Sequence, residues 1–141
     1  MSTIGDFKDI EVTFEDNYVA VVEIQRPPHN FFDISLINQI ADAYHALDES
    51  PDCRAIVLAA QGKNFCAGAN FGKSEEETGG AEESTGGKIS GHLYQYAVRI
   101  FEAKLPVVAA VQGAAIGGGL GLAVSADFRV TCPEGRFSAN F

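Results

Sequence analysis

The chain has 141 residues, 46% of them apolar, which is the length of one ordinary domain with enough hydrocarbon for a real core. Ten Lys and Arg against nineteen Asp and Glu leave a formal net charge of −9, so the basic footprint that DNA or an anionic membrane would require is missing. No apolar run approaches the roughly 18 residues of a membrane span, and MSTIGDFKDI lacks the basic and apolar segments of a leader, so a cytoplasmic location is expected.

IEVTF and YVAVVEI flank Glu15-Asp16-Asn17, and the alternation of Ile10, Val12 and Phe14 predicts a β-hairpin that ends at Arg26-Pro27-Pro28. Leu36, Ile37, Ile40, Ala41, Tyr44 and Leu47 then recur at helical spacing, with Asp33 or Ser35 placed to cap the start and Pro51 to follow the end. RAIVLAA at 54–60 is a short non-alternating apolar run, as expected of a parallel strand covered on both faces, and VVAAV at 107–111 is the next. Between them, residues 72–88 are glycines, glutamates, Ser and Thr, a composition that predicts a mobile surface loop. Ile89, Leu93, Tyr96, Ala97, Ile100 and Phe101 trace a second amphipathic helix, with Ser90 as its cap and Pro106 beyond its end. The tail FRVTCPEGRFSANF reads as two short strands around Pro133-Glu134-Gly135. Strands alternating with helices predict an α/β arrangement.

Three cysteines, Cys53, Cys66 and Cys132, show no C-x-x-C spacing, which argues against a disulfide framework or a structural zinc site, and no metal is expected. Small buried thiols are the favoured account of all three.

GAAIGGGLGL at 113–122 is open to three chemical readings. A dinucleotide fingerprint, G-x-G-x-x-G, counted from Gly117 puts Leu122 where its last glycine belongs, and no Lys-Ser or Lys-Thr follows to make a P-loop. The third is an anion site: a turn that feeds a helix leaves its first N–H groups unpaired at the positive end of the helix dipole. Close packing would explain one such turn by itself. The strand RAIVLAA, however, also exits into a small-residue turn, GKNFCAGAN at 62–70, so two turns could aim two N–H groups at one carbonyl oxygen.

NFCAGAN, followed some forty positions later by LPVVAAVQGAAIGGGLGLAVSADFRV, resembles the crotonase superfamily of enoyl-CoA hydratases and isomerases. The likeness runs from the first hairpin to Phe141 and implies a spiral of β-β-α units, here incomplete, with the chain matching the N-terminal part of the family's domain. It further implies a coenzyme A thioester as substrate, no permanently bound cofactor, a place in fatty acid metabolism, and trimers or hexamers in full-length members. The thioester oxygen would be held by the backbone N–H groups of Ala69 and Gly118. The bent CoA would lie against His29, Asn30, Phe31 and Ala67, with Arg26, Lys63, Lys73 and Lys88 the nearest cations in sequence.

The same resemblance exposes two departures. Where family hydratases carry glutamates, this chain has Gly121 and Phe141, and neither can act as a general acid or base. His92 is a candidate replacement, although its place one step before Leu93 favours a partly exposed structural histidine. Cys66 has no identifiable base and is read as a packed thiol. The resemblance thus implies a lyase or isomerase, with hydration, isomerisation, hydrolysis and decarboxylation open, and a non-catalytic acyl-CoA-binding protein or inactive truncated subunit as the alternative. The uncapped, strand-like end at 137–141 carries the expectation of a truncated product.

Overall fold

The structure is a computed structural model that describes residues 2–69 and 88–140. The expected hairpin is β2 (Ile10–Phe14) against β3 (Val19–Ile24), extended on its outer side by β1 (Ser2–Thr3). Three parallel strands continue the sheet from β3: β4 (Ala55–Ala60), β5 (Val107–Val111) and β7 (Phe128–Thr131), in the order β1-β2-β3-β4-β5-β7. The two strands of the tail do not pair with each other. While β7 adds to β5, β8 (Arg136–Ser138) runs parallel to β6 (Ala114–Ile116) in a separate two-stranded sheet.

Each turn of the chain therefore supplies one strand to the large sheet, one short extended segment to a second ladder, and then a helix. The second ladder is made by the Phe32–Ala69 and Cys66–Ala115 bridges together with β6 and β8. The helices are α1 (Ile34–Asp48), α2 (Lys88–Ala97) and α3 (Gly118–Ser125). This is the expected α/β spiral of β-β-α units.

One face of the large sheet is closed from β2 to β5, while β7 is exposed throughout. Val12, Val22, Leu58 and Ala109 stand opposite one another across four strands and all are buried. Leu36, Ile37, Ile40, Ala43 and Leu47 of α1 join the same core, each fully buried, and each such Leu or Ile contributes about 1.5–3 kcal/mol. The opposite row, Val21, Val57, Val108 and Phe128, is half-buried as far as Val108, and Phe128 is 64% exposed. Burial of β4 on both faces is thus not complete among the described residues.

The structure decides between the two expected caps of the first helix and departs from expectation in the second. Asp33, not Ser35, caps α1, its carboxylate accepting from the Leu36 N–H at 2.8 Å. In the second helix Ser90 lies inside α2, which already begins at Lys88, and the chain tightens into a 3-10 turn over Val98–Glu102. Three residues per turn shift the phase of the apolar stripe. Ile100 stays buried while Phe101 swings out to 65% exposure. Of the expected mobile segment 72–88, only Lys88 falls within the described residues.

Candidate functional site

The two small-residue turns lie side by side because backbone hydrogen bonds tie them together. Phe65 N–H donates to the Gln112 carbonyl at 2.8 Å, Cys66 N–H to Ala114 at 2.9 Å, and Ile116 N–H returns to Cys66 at 3.0 Å. Asn64 reinforces the join, its Oδ1 accepting from Ala114 N–H at 3.1 Å. Both chains then turn sharply through positive φ, Gly68 at 105° and Gly117 at 55°, where a side chain would be strained. Gly117 leads directly into α3.

Phe32 touches both turns. Phe32 N–H donates to the Gly68 carbonyl at 2.8 Å in its parallel bridge with Ala69, a bond in which the Ala69 N–H takes no part. The Phe32 ring lies over Gly118, so that a β-carbon there would come within 2.7 Å of its Cδ1. The first N–H to return into α3 is that of Gly121, which donates to Gly117 at 3.0 Å, so the N–H groups of Gly118, Gly119 and Leu120 precede the helical ladder. No side chain caps this helix and no acidic residue occupies its first turn, which leaves the positive end of the dipole uncompensated among the described residues.

Close approach is also what Gly119 serves. A β-carbon at Gly119 would overlap the Cys66 carbonyl oxygen and lie 2.8 Å from its carbon. The helix start is therefore pressed directly onto the turn that carries Ala67 to Ala69. Cys66 is fully buried there, and burial pushes its thiol up to about 11, which suits a packed group and not a nucleophile.

The segment expected to receive CoA is held from below. Ala67 N–H donates to the His29 carbonyl at 2.9 Å, so these two residues are neighbours but that donor is already spent. Asn30 is fully buried, at φ 51°, and its side chain works inside the loop: Oδ1 accepts from Arg26 N–H at 2.8 Å, and Nδ2 donates to the carbonyls of Gln61 and Asn64 at 2.9 and 2.8 Å. His29 is exposed and its ring lies 4.9 Å from that of half-buried Phe31.

The expected cations fare unevenly. Arg26 is occupied by two carboxylates, Asp9 at 2.8 Å and Asp33 at 2.7 Å, so it organises the loop and is not available to an anion. Lys63 is exposed on the turn, while Lys73 and the side chain of Lys88 lie outside the described residues, as do the side chain of His92 and all of Phe141.

An apolar cavity of about 180 Å³ opens beside Gly118. Tyr94, Ala97, Ile100 and Phe101 line it from α2 and the 3-10 turn, and Gly118, Gly121, Leu122 and Ser125 from α3, with Phe32 joining them. A β-carbon added at Gly121 would meet nothing within 4 Å. Phe32 is the residue that reading from sequence overlooked, although an apolar residue immediately before a helix cap is a recognisable staple position. The cavity wall is hidden for another reason: helical spacing places Phe101 in the core.

Comparison with known proteins bears on this arrangement directly. The family model described as enoyl-CoA hydratase/isomerase matches residues 15–141. The chain is 33% identical over 127 residues to a Mycobacterium tuberculosis protein named "Probable enoyl-CoA hydratase echA14", covering 89% of this chain and 48% of that protein. It is 31% identical over 147 residues to the peroxisomal Delta(3,5)-Delta(2,4)-dienoyl-CoA isomerase of Arabidopsis thaliana, covering 96% and 53%. A crystal structure of enoyl-CoA hydratase subunit I from Geobacillus kaustophilus superimposes with a TM-score of 0.79 at 30% identity, over 94% of this chain and 49% of that one. The chain spans about half the length of the curated relatives it matches. With its spiral, its paired glycine turns and a family match that begins inside the first hairpin, the chain belongs to the enoyl-CoA hydratase/isomerase family of the crotonase superfamily.

Proposed function

We propose that this chain supplies the thioester-binding part of an acyl-CoA-processing enzyme, holding the thioester oxygen between the N–H groups of Ala69 and Gly118 as negative charge develops. The observation that carries this reading is the position of Phe32, which bridges to Ala69 on one side and covers Gly118 on the other, so that both donors border one small region. A donor of this kind, placed at an uncapped helix start, contributes roughly 2.7–4 kcal/mol to transition-state stabilisation. The CoA moiety would run along His29, Phe31 and Ala67, with Asn30 shaping that wall from beneath. Assembly of the whole protein as a trimer or hexamer belongs to the same proposal and rests on the family resemblance.

A second reading is favoured by one specific observation. The family's first glutamate position is Gly121, and the described lining of the adjacent cavity contains no Asp, Glu, His or Lys. A protein of that kind could bind an acyl-CoA and stabilise its enolate without delivering water or a proton. Two measurements separate the readings: the ultraviolet absorbance of an enoyl-CoA incubated with the chain, and calorimetric binding of a non-reactive CoA thioether. Turnover supports the enzyme, binding without turnover supports the non-catalytic protein, and no binding overturns both.

A further inference from the structure

The cavity beside Gly118 is an apolar groove open to solvent on one side, with exposed Gly121 and Phe101 at its mouth. An ordinary residue at this helix position would project a side chain into the open space, since nothing stands within 4 Å of a β-carbon there. In the family pattern that side chain is a glutamate, so its replacement by glycine does two things together: it removes a carboxylate and leaves a carboxyethyl group's volume vacant. Two hydroxyl-bearing residues, Tyr94 and Ser125, belong to the wall, and the Ser125 hydroxyl is turned back onto the Leu122 carbonyl at 2.6 Å. Phe32, Phe101 and Leu122 give the rest of the wall a hydrocarbon surface. Apolar cavities of about 150 Å³ are large enough for benzene. At about 180 Å³ this one has room for a group of that size.

We infer that Gly121 is a specificity residue, and that the site takes acyl-CoA thioesters whose acyl group carries a benzene-sized apolar body close to the carbonyl. This rests on the acyl-CoA reading above for its anchor, but the shape of the cavity is independent of it. A short straight chain would leave the cavity partly empty and lose the contacts its wall offers.

The test compares two stable thioethers, phenacyl-CoA and acetonyl-CoA, which share the CoA and the ketone oxygen and differ in phenyl against methyl. Calorimetry on the full chain should show phenacyl-CoA binding at least roughly tenfold more tightly, the scale on which an apolar pocket discriminates. Gly121→Leu, which fills the cavity, should erase that preference, and Gly121→Ala should reduce it in part. Gly121→Ala also keeps the test decisive if the leucine variant fails to fold, since its methyl meets nothing within 4 Å. Equal binding of the two compounds by the parent chain, or parallel loss of both in the variants, would overturn the inference. Toluene provides the arm that does not depend on CoA, followed by its effect on thermal unfolding. Stabilisation by toluene that Gly121→Leu abolishes, with neither thioether bound, would support the cavity and refute the acyl-CoA reading. No response to toluene or to phenacyl-CoA would overturn the cavity inference.

Discussion

Gly119→Ala tests the packing of the helix start against the turn that carries Ala69. The added β-carbon would overlap the Cys66 carbonyl oxygen and lie 2.8 Å from the Cys66 carbon and 2.9 Å from its Cβ. Ordinary carbon contacts begin near about 3.5 Å, so α3 and the turn must separate by on the order of 1 Å. Overpacking of this kind costs about 1–3 kcal/mol, whereas replacing glycine by alanine inside a helix otherwise gains up to about 1 kcal/mol. Gly121→Ala, two residues along the same helix with nothing within 4 Å, is the matched control and should show only the gain. Urea unfolding followed by circular dichroism should therefore place the two variants on opposite sides of the parent chain. Binding should diverge as well, because misplacement by about 1 Å can cost on the order of a hundredfold where geometry is critical. Calorimetry with a non-reactive CoA thioether would detect it. If Gly119→Ala matched Gly121→Ala in both stability and thioether affinity, the argument that the two turns are locked by backbone contact would be refuted.

Asn30→Ala should destabilise the chain by about 3 kcal/mol in urea titration, since three hydrogen bonds of about 1 kcal/mol each are lost inside a fully buried loop. Asp9 is held below its usual value of 3.8, first by the hydrogen bond from Arg26. Because its folded value lies below the unfolded one, its contribution is complete above the unfolded value and is lost as pH falls through the folded value. Acid titration of stability should then show a loss below about pH 4 that is smaller in Asp9→Asn; identical acid limbs would contradict the assignment. With a thiol raised to about 11 and no exposed surface, Cys66 should resist a thiol reagent at neutral pH until urea is added, as should buried Cys53, while partly exposed Cys132 reacts first. Mass spectrometry of the labelled native chain checks this by site.

The strands and helices were legible in the sequence wherever a period was carried over several residues. The hairpin, α1 and the two apolar runs that became β4 and β5 follow from alternation, helical spacing and β-branched content, all of them local properties. The three-residue strand β6 was not legible, because it is too short to show a period and exists only through its partners, Cys66 and β8. Phe101 shows the opposite failure. Its spacing is that of a core residue, and only the change from α-helix to 3-10 turn moved it to the surface.

By itself the sequence determined the family, since two glycine turns in a given order and spacing are features of the chain alone, and it determined that Gly121 cannot act as a base. Tertiary structure decided what those glycines are next to. Gly118 lies under Phe32, Gly119 against the Cys66 carbonyl, and Gly121 exposed at the mouth of an apolar groove, although all three fall within one helical turn. Their surroundings come from separate earlier segments of the chain, Phe32, Cys66 and Phe101 among them. Local pattern carries no record of such partners, because the contacts form only when successive turns of the spiral stack and the helix start docks on the turn before it.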